Sequence, residues 1–319
     1  MSLPILILGI AMLSYNCGGH KETIYSGHEK TLSEADAKTG AGAGAGAGAK
    51  KSDSRIDKGD QKKDNREDKD DKKNDSKKTR SDAPSIAKDL TVVTHTNKGP
   101  EGAFQLYTPK SKGKYPVLFF GPATMVPGKL YRLLHEYLAS HGFIVVVGES
   151  TSTGQGEEML DGIKWLQGPS EFENIIAKKA FGVYGHSQGG ATAFVVAGKM
   201  PDVVKSVVSI MPDCNFWVRC GGTNNVKVPV LAIAGAKDTL VPAQTVKSKV
   251  YNMTEGKAVY AEVPNMDHVS WMRQSNTTFG PAVLAWFEAA LKGSKKSARA
   301  FSNSGCDICG DGNWDIETK

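Results

Sequence analysis

The chain has no block of like charge. Its 40 Lys and Arg stand against 34 Asp and Glu, a formal net charge of +6 over 319 residues. The basic residues are not interleaved with aromatics, which excludes the usual footprint of a nucleic-acid-binding arm. The small positive excess is read as solubility, or attraction to an anionic surface. The apolar run at the amino terminus, Leu3–Leu13, is of signal-peptide length and too short to cross a bilayer. It also lacks the basic residues that usually precede such a run. Cysteine is scarce, with 5 in all. Cys17 follows the apolar run and is a lipidation candidate, although Tyr15 and Asn16 make a poor lipobox. An exported chain, secreted or tethered at the cell surface, is the expectation.

The remaining four cysteines, Cys214, Cys220, Cys306 and Cys309, form an even set, which in an exported domain suggests disulfides. Their connectivity stays open: Cys214 with Cys220 across a short loop, Cys306 with Cys309, or the tail tied to that loop. A four-cysteine zinc site is the alternative, with Cys306-Asp307-Ile308-Cys309 as one half and the widely spaced Cys214 and Cys220 as the other. Otherwise neither metal nor cofactor is expected.

Apolar residues are nearly absent from a long stretch after the amino terminus. Ala41–Ala49 alternates Ala and Gly, and Lys50–Asp82 has Ile56 as its only large apolar side chain. Such composition cannot offset the entropy of ordering, so 18–82 reads as a disordered tether. A single helix laced by opposite charges is disfavoured by the many Asp, Ser and Gly. The organisation expected is a signal or lipoprotein-like segment at 1–17, the tether, a globular domain at 83–293 and a cysteine-bearing tail at 294–319. A tether placed after an anchoring cysteine would let a surface-held domain reach extended substrate.

Within the globular part, short β-branched runs alternate with helical patterns. Strands are expected at Tyr115–Phe120, Phe143–Val147, Ala180–Tyr184, Val203–Met211, Val228–Ala234 and Ala258–Val263. Helices are expected at Leu130–Ser140, ending at Gly142, at Glu157–Leu166, near Ala243–Met253 and at Pro281–Leu291. This alternation implies an α/β fold, a doubly wound and mostly parallel sheet with helices on both faces.

One pentapeptide stands out, Gly185-His186-Ser187-Gln188-Gly189, between an apolar run and the small, helix-compatible run Gly190–Ala197. Glycines flank a serine in this way where a sharp strand-to-helix turn holds the hydroxyl above a sheet edge. A neutral hydroxyl is a poor nucleophile and needs a base, and the base needs a carboxylate to orient it. Asp238 follows the run Val228–Ala234, with Asp213 as its rival and Asp267 a weaker one. For the base, His20, His28 and His95 lie in or near low-complexity sequence, and His135 and His141 fall on or beside an amphipathic helix, where a solvated or capping role is expected. His186 lies inside the turn, pointing toward a cleft or into packing. His268, in the loop after Ala258–Val263, remains. The developing oxyanion needs main-chain donors: Gln188 at the helix start, and Ala123 or Thr124 in the loop after Val117–Phe120, because Pro122 has no N–H.

Gly185–Gly190, the Gly-x-x-Asp-x-x-x-Pro segment at Gly235–Pro242 and the His268 loop resemble the α/β-hydrolase superfamily, over about Ala103 to Leu291. The short Ser-Asp-His spacing, with no room for a large lid, is similar to its cutinase-like branch, which includes bacterial polyester (PET-type) hydrolases. The resemblance implies a serine carboxylic ester hydrolase with Ser187, Asp238 and His268 as triad and Gln188 as oxyanion donor. It also makes Phe216 or Trp217 a candidate for substrate contact, beside His186, which is a candidate from its place in the serine turn. An ester substrate, polymeric or lipid, and a monomer are expected. Two departures stand out. Gln188 replaces the usual Met, which by this reading alters only cleft polarity, and Gly121-Pro122-Ala123 lacks the usual aromatic, which weighs against bulky aromatic polyesters. The alternatives are a lipase or chlorophyllase-like esterase, and a non-catalytic surface binding module of the same fold. Dienelactone-hydrolase-like relatives use a cysteine where this chain has Ser187.

Overall fold

The computed structural model describes residues 90–222, 226–301 and 314–319. The run Leu3–Leu13, Cys17, the stretch 18–82, Cys306 and Cys309 lie outside the described residues.

The central strands are β3 (Tyr115–Gly121), β4 (Ile144–Gly148), β5 (Ile176–His186), β6 (Val204–Ile210), β7 (Val230–Gly235) and β8 (Ala258–Val263). They pair in parallel in the order β4-β3-β5-β6-β7-β8. They match the six expected strands to within a few residues. Their near-continuous Val, Ile and Leu follows from burial on both faces. Phe119, Val183 and Val207 join one core with Ile163 and Leu166 of α2 (Glu157–Gln167) and Phe194 of α3 (Gln188–Lys199). On the opposite face Tyr184 packs on His135 of α1 (Arg132–Ser140) and on Phe287. Gly142 stops the chain after α1 with a left-handed φ of 80°.

Three strands escape the sequence reading. β1 (Val92–Lys98) and β2 (Phe104–Pro109) extend the β4 side of the sheet, and β9 (Asp315–Thr318) covers β8, all antiparallel. Two are edges, short or rich in polar residues, where unpaired backbone favours charge over apolar runs. The helix expected near Ala243–Met253 is α4 (Ala243–Val246) followed by one wider π-helical turn at Lys247–Tyr251. The final expected helix is α6 (Gly280–Lys292), preceded by a short helix the sequence reading did not include, α5 (Ser275–Thr278). His135 is not solvated: it is wholly buried, with Nδ1 2.8 Å from Tyr184 Oη and Nε2 3.1 Å from the Gly128 carbonyl. His141 is buried too.

After β3 the chain moves outward to β4, then crosses back to β5 on the other side of β3. The strand order reverses there, and open α/β sheets leave a crevice at such a point, beyond the carboxyl ends of the strands. The loops after β3, β5, β6, β7 and β8 all open on this edge.

Candidate active site

Ser187 occupies the turn between β5 and α3 with φ 55° and ψ −118°, a region that non-glycine residues rarely adopt. The flanking glycines make that turn sterically feasible. A Cβ at Gly185 would lie 2.3 Å from the Gly189 carbonyl oxygen, and one at Gly189 would lie 1.9 Å from that of Gly121. Hydrogen bonds then hold the turn: Ser187 N–H donates to Ile210 O at 3.0 Å, Gly189 N–H to Pro122 O at 3.1 Å, and Asp213 N–H to Ser187 O at 3.0 Å. Gln188 N–H, at the first helical position between two spent donors, has no carbonyl four residues back within the helix.

The three carboxylates considered in the sequence part company here. Asp213 Oδ1 accepts the N–H groups of Asn215 and Phe216, and Asp267 Oδ1 those of Val269 and Ser270, so each caps its own turn. Burial pushes the Asp267 carboxyl up, but the N–H groups of Val269 and Ser270 outweigh it and hold the group below the usual range. Asp238 does both jobs. Its Oδ1 accepts the N–H groups of Leu240 and Val241, and its Oδ2 lies 2.7 Å from His268 Nδ1. Both partners are buried. A carboxylate at Nδ1 fixes the ring proton there and leaves Nε2 as the acceptor.

His186 is wholly buried, so its ring forms the floor behind the site and not a wall open to substrate. It packs on the His268 ring with centroids 4.7 Å apart and edge-on to Trp271 at 5.0 Å. Being next to Ser187 in the chain, it brings the serine turn and the His268 loop to one rim. Nδ1 of His186 lies 2.8 Å from Tyr131 Oη, which also accepts Ala123 N–H at 3.4 Å. The Tyr131 hydroxyl thus links the Ala123 N–H to the His186 ring. Burial, reinforced by His268, holds the His186 ring well below the ordinary imidazole pKa, hence neutral.

Gln188 does more than alter cleft polarity. Its side chain is buried, and Oε1 accepts the Thr124 hydroxyl at 3.2 Å and Thr153 N–H at 3.3 Å. The loops after β3 and β4 therefore meet on it.

Cys214 and Cys220 form a disulfide, one of the pairings left open by the sequence. An oxidised pair supplies no thiolates, which removes the four-cysteine zinc alternative. Among the described residues no group of three or more His, Cys, Asp or Glu is placed to hold a metal ion. The closed loop carries Phe216 and Trp217, both exposed, with ring centroids 5.2 Å apart. Met125 after β3 and Leu240 after β7 are exposed on the same edge.

Tyr131, Thr153 and Trp271 escape the sequence reading. Nothing distinguishes Tyr131 from an ordinary core aromatic. Thr153 lies in the polar stretch 150–156, and its position after an expected parallel strand was the available signal.

A family model described as "PETase: PET hydrolase-like" matches residues 80–303. The chain is 24% identical over 196 residues to cutinase est1 of Thermobifida alba, covering 59% of this chain and 64% of that protein. It is 24% identical to cutinase 2 of Thermobifida cellulosilytica over 196 residues, 59% of this chain and 72% of the relative. Chlorophyllase-1 of Citrus unshiu is 32% identical over 125 residues, 34% of this chain and 37% of its own length. The match thus spans less than two thirds of the T. alba cutinase.

Proposed function

Because this chain belongs to the PET hydrolase-like family, we propose that it is a serine carboxylic ester hydrolase working through an acyl-enzyme. Ser187 Oγ attacks the ester carbonyl as His268 Nε2 takes its proton. Asp238 holds the imidazole in the needed tautomer and stabilises the imidazolium. Of the two N–H groups considered after β3, Ala123's is engaged by Tyr131 Oη, so Gln188 N–H and Thr124 N–H receive the oxyanion. His268 then returns the proton to the departing alkoxide, and water, activated the same way, releases the acid. The observation that carries this reading is the buried 2.7 Å contact of His268 with Asp238, on a ring that packs against His186, the neighbour of the strained Ser187. A binding-only module would have no use for such strain.

Exposed Met125, Phe216, Trp217 and Leu240 around the rim favour an apolar ester, polymeric or lipid. The disulfide supports an oxidising compartment. The leading apolar run and Cys17 support export and surface attachment, with the enzyme acting as a monomer. Among the described residues no helix is long and apolar enough to cross a membrane.

Hydrolysis of p-nitrophenyl butyrate tests the reading. Wild type turns over, and Ser187→Ala loses at least about 10^4-fold in kcat. A wild type without turnover, or full activity in Ser187→Ala, contradicts it. Tributyrin set against polyester film then ranks the substrate classes.

A further inference from the structure

The side chain of Gln188 sits where a residue contributing only a main-chain donor has no need of a buried amide. We propose that this amide is a positioning group, a clasp that holds the two halves of the oxyanion site at fixed separation. The inference rests on the hydrolase reading of the same site.

One half of that site is the amino end of α3, fixed by the turn around Ser187. The other is the loop after β3, where Ala123 and Thr124 fall outside strand and helix. That loop is held by hydrogen bonds: Val126 N–H to Ala123 O, Met125 N–H to Thr151 O, and the Thr124 hydroxyl to Gln188 Oε1. Thr153 N–H can only donate, so the amide atom facing it at 3.3 Å is the oxygen, and this fixes the orientation of the Gln188 amide. Thr153 Oγ1 is in turn 2.9 Å from Thr192 Oγ1 on α3. The path runs from α3 through the Gln188 side chain to both loops and back to α3. Gln188 thereby supplies one donor with its main chain and sets the position of the second with its side chain. Methionine offers only a weak thioether acceptor at this place. Donors to an oxyanion act through preorganised placement, so loosening the clasp affects the transition state more than substrate binding.

The test compares Thr124→Val, which keeps shape and removes the donor, with Thr124→Ser, which retains it, alongside Gln188→Met and the Gln188→Met/Thr124→Val double variant. The readouts are kcat and KM on p-nitrophenyl butyrate, inhibition by a trifluoromethyl ketone that forms a tetrahedral adduct with serine, and thermal midpoint. In Thr124→Val and Gln188→Met, kcat falls roughly 10-fold with KM within about twofold. The ketone weakens by a similar factor, Thr124→Ser, which keeps the hydroxyl donor, is impaired less than Thr124→Val, and the double variant is no worse than the more impaired single one. Wild-type kcat in Thr124→Val, a loss confined to KM, or additive losses overturn the clasp while leaving the hydrolase reading intact. Should Gln188→Met fail to fold, the Thr124→Val and Thr124→Ser pair decides alone. A wild type without turnover and unlabelled at Ser187 by a fluorophosphonate overturns both.

Discussion

Two histidines beside the site, His135 and His186, are wholly buried, whereas His268 keeps a small exposed area. His135 is held down to about 3 by burial, only partly opposed by the Gly128 carbonyl, and burial keeps His186 well below its ordinary value. Both are neutral in the folded chain, while the unfolded chain protonates them below about 6.5. Unfolded protein thus binds more protons between about pH 6.5 and 3, and stability falls as pH drops through that window. Each contributes a slope of up to about 1.4 kcal/mol per pH unit. Glu158, whose carboxyl burial holds above the usual range, works in the opposite sense. Urea unfolding at pH 7 and pH 5 therefore compares wild type with His135→Gln, and the variant shows the shallower acid loss. Equal slopes contradict a neutral His135. The sequence carried the pairing of His268 with Asp238 and the sharp turn at Ser187, because chain order and strand context constrain them. It did not carry the burial of His135, since a histidine on an amphipathic pattern reads alike whether its neighbour is water or Tyr184.

The loop after β6 shows what one element adds. Cys214 and Cys220 close it, and Asp213 caps its first turn while its own N–H holds the Ser187 carbonyl. Trp217 is held from outside by Gln155, whose Nε2 donates to its carbonyl at 2.9 Å. Phe216 and Trp217 are thus presented to solvent from a fixed frame. Closing so short a loop stabilises the fold by roughly 2 kcal/mol through the unfolded chain. The Cys214→Ser/Cys220→Ser variant is expected to lose about that much in urea unfolding, and an unchanged midpoint contradicts the assignment. Core strands were legible because burial on both faces writes uninterrupted β-branched runs. β1 and β9 were not, because an edge strand obeys pairing more than hydropathy: Asp315-Ile316-Glu317-Thr318 becomes a strand by meeting Val259–Glu262 of β8. The π-helical turn at Lys247–Tyr251 left no mark either, since its apolar spacing stays close to helical.

Across the molecule, the reversal of strand order between β3 and β5 decides where chemistry can happen. It gathers residues from widely separated loops onto one edge, and the apolar side chains exposed there give that edge a character suited to water-poor substrates. In the proposed mechanism Ser187 is an activated nucleophile driven by His268. Peptide-mass analysis after treatment with a fluorophosphonate tests it most directly. A single phosphonyl adduct is expected on the peptide bearing Ser187, formed rapidly in wild type and lost in His268→Ala. An unmodified Ser187, an adduct on another residue, or equal labelling in His268→Ala would contradict it.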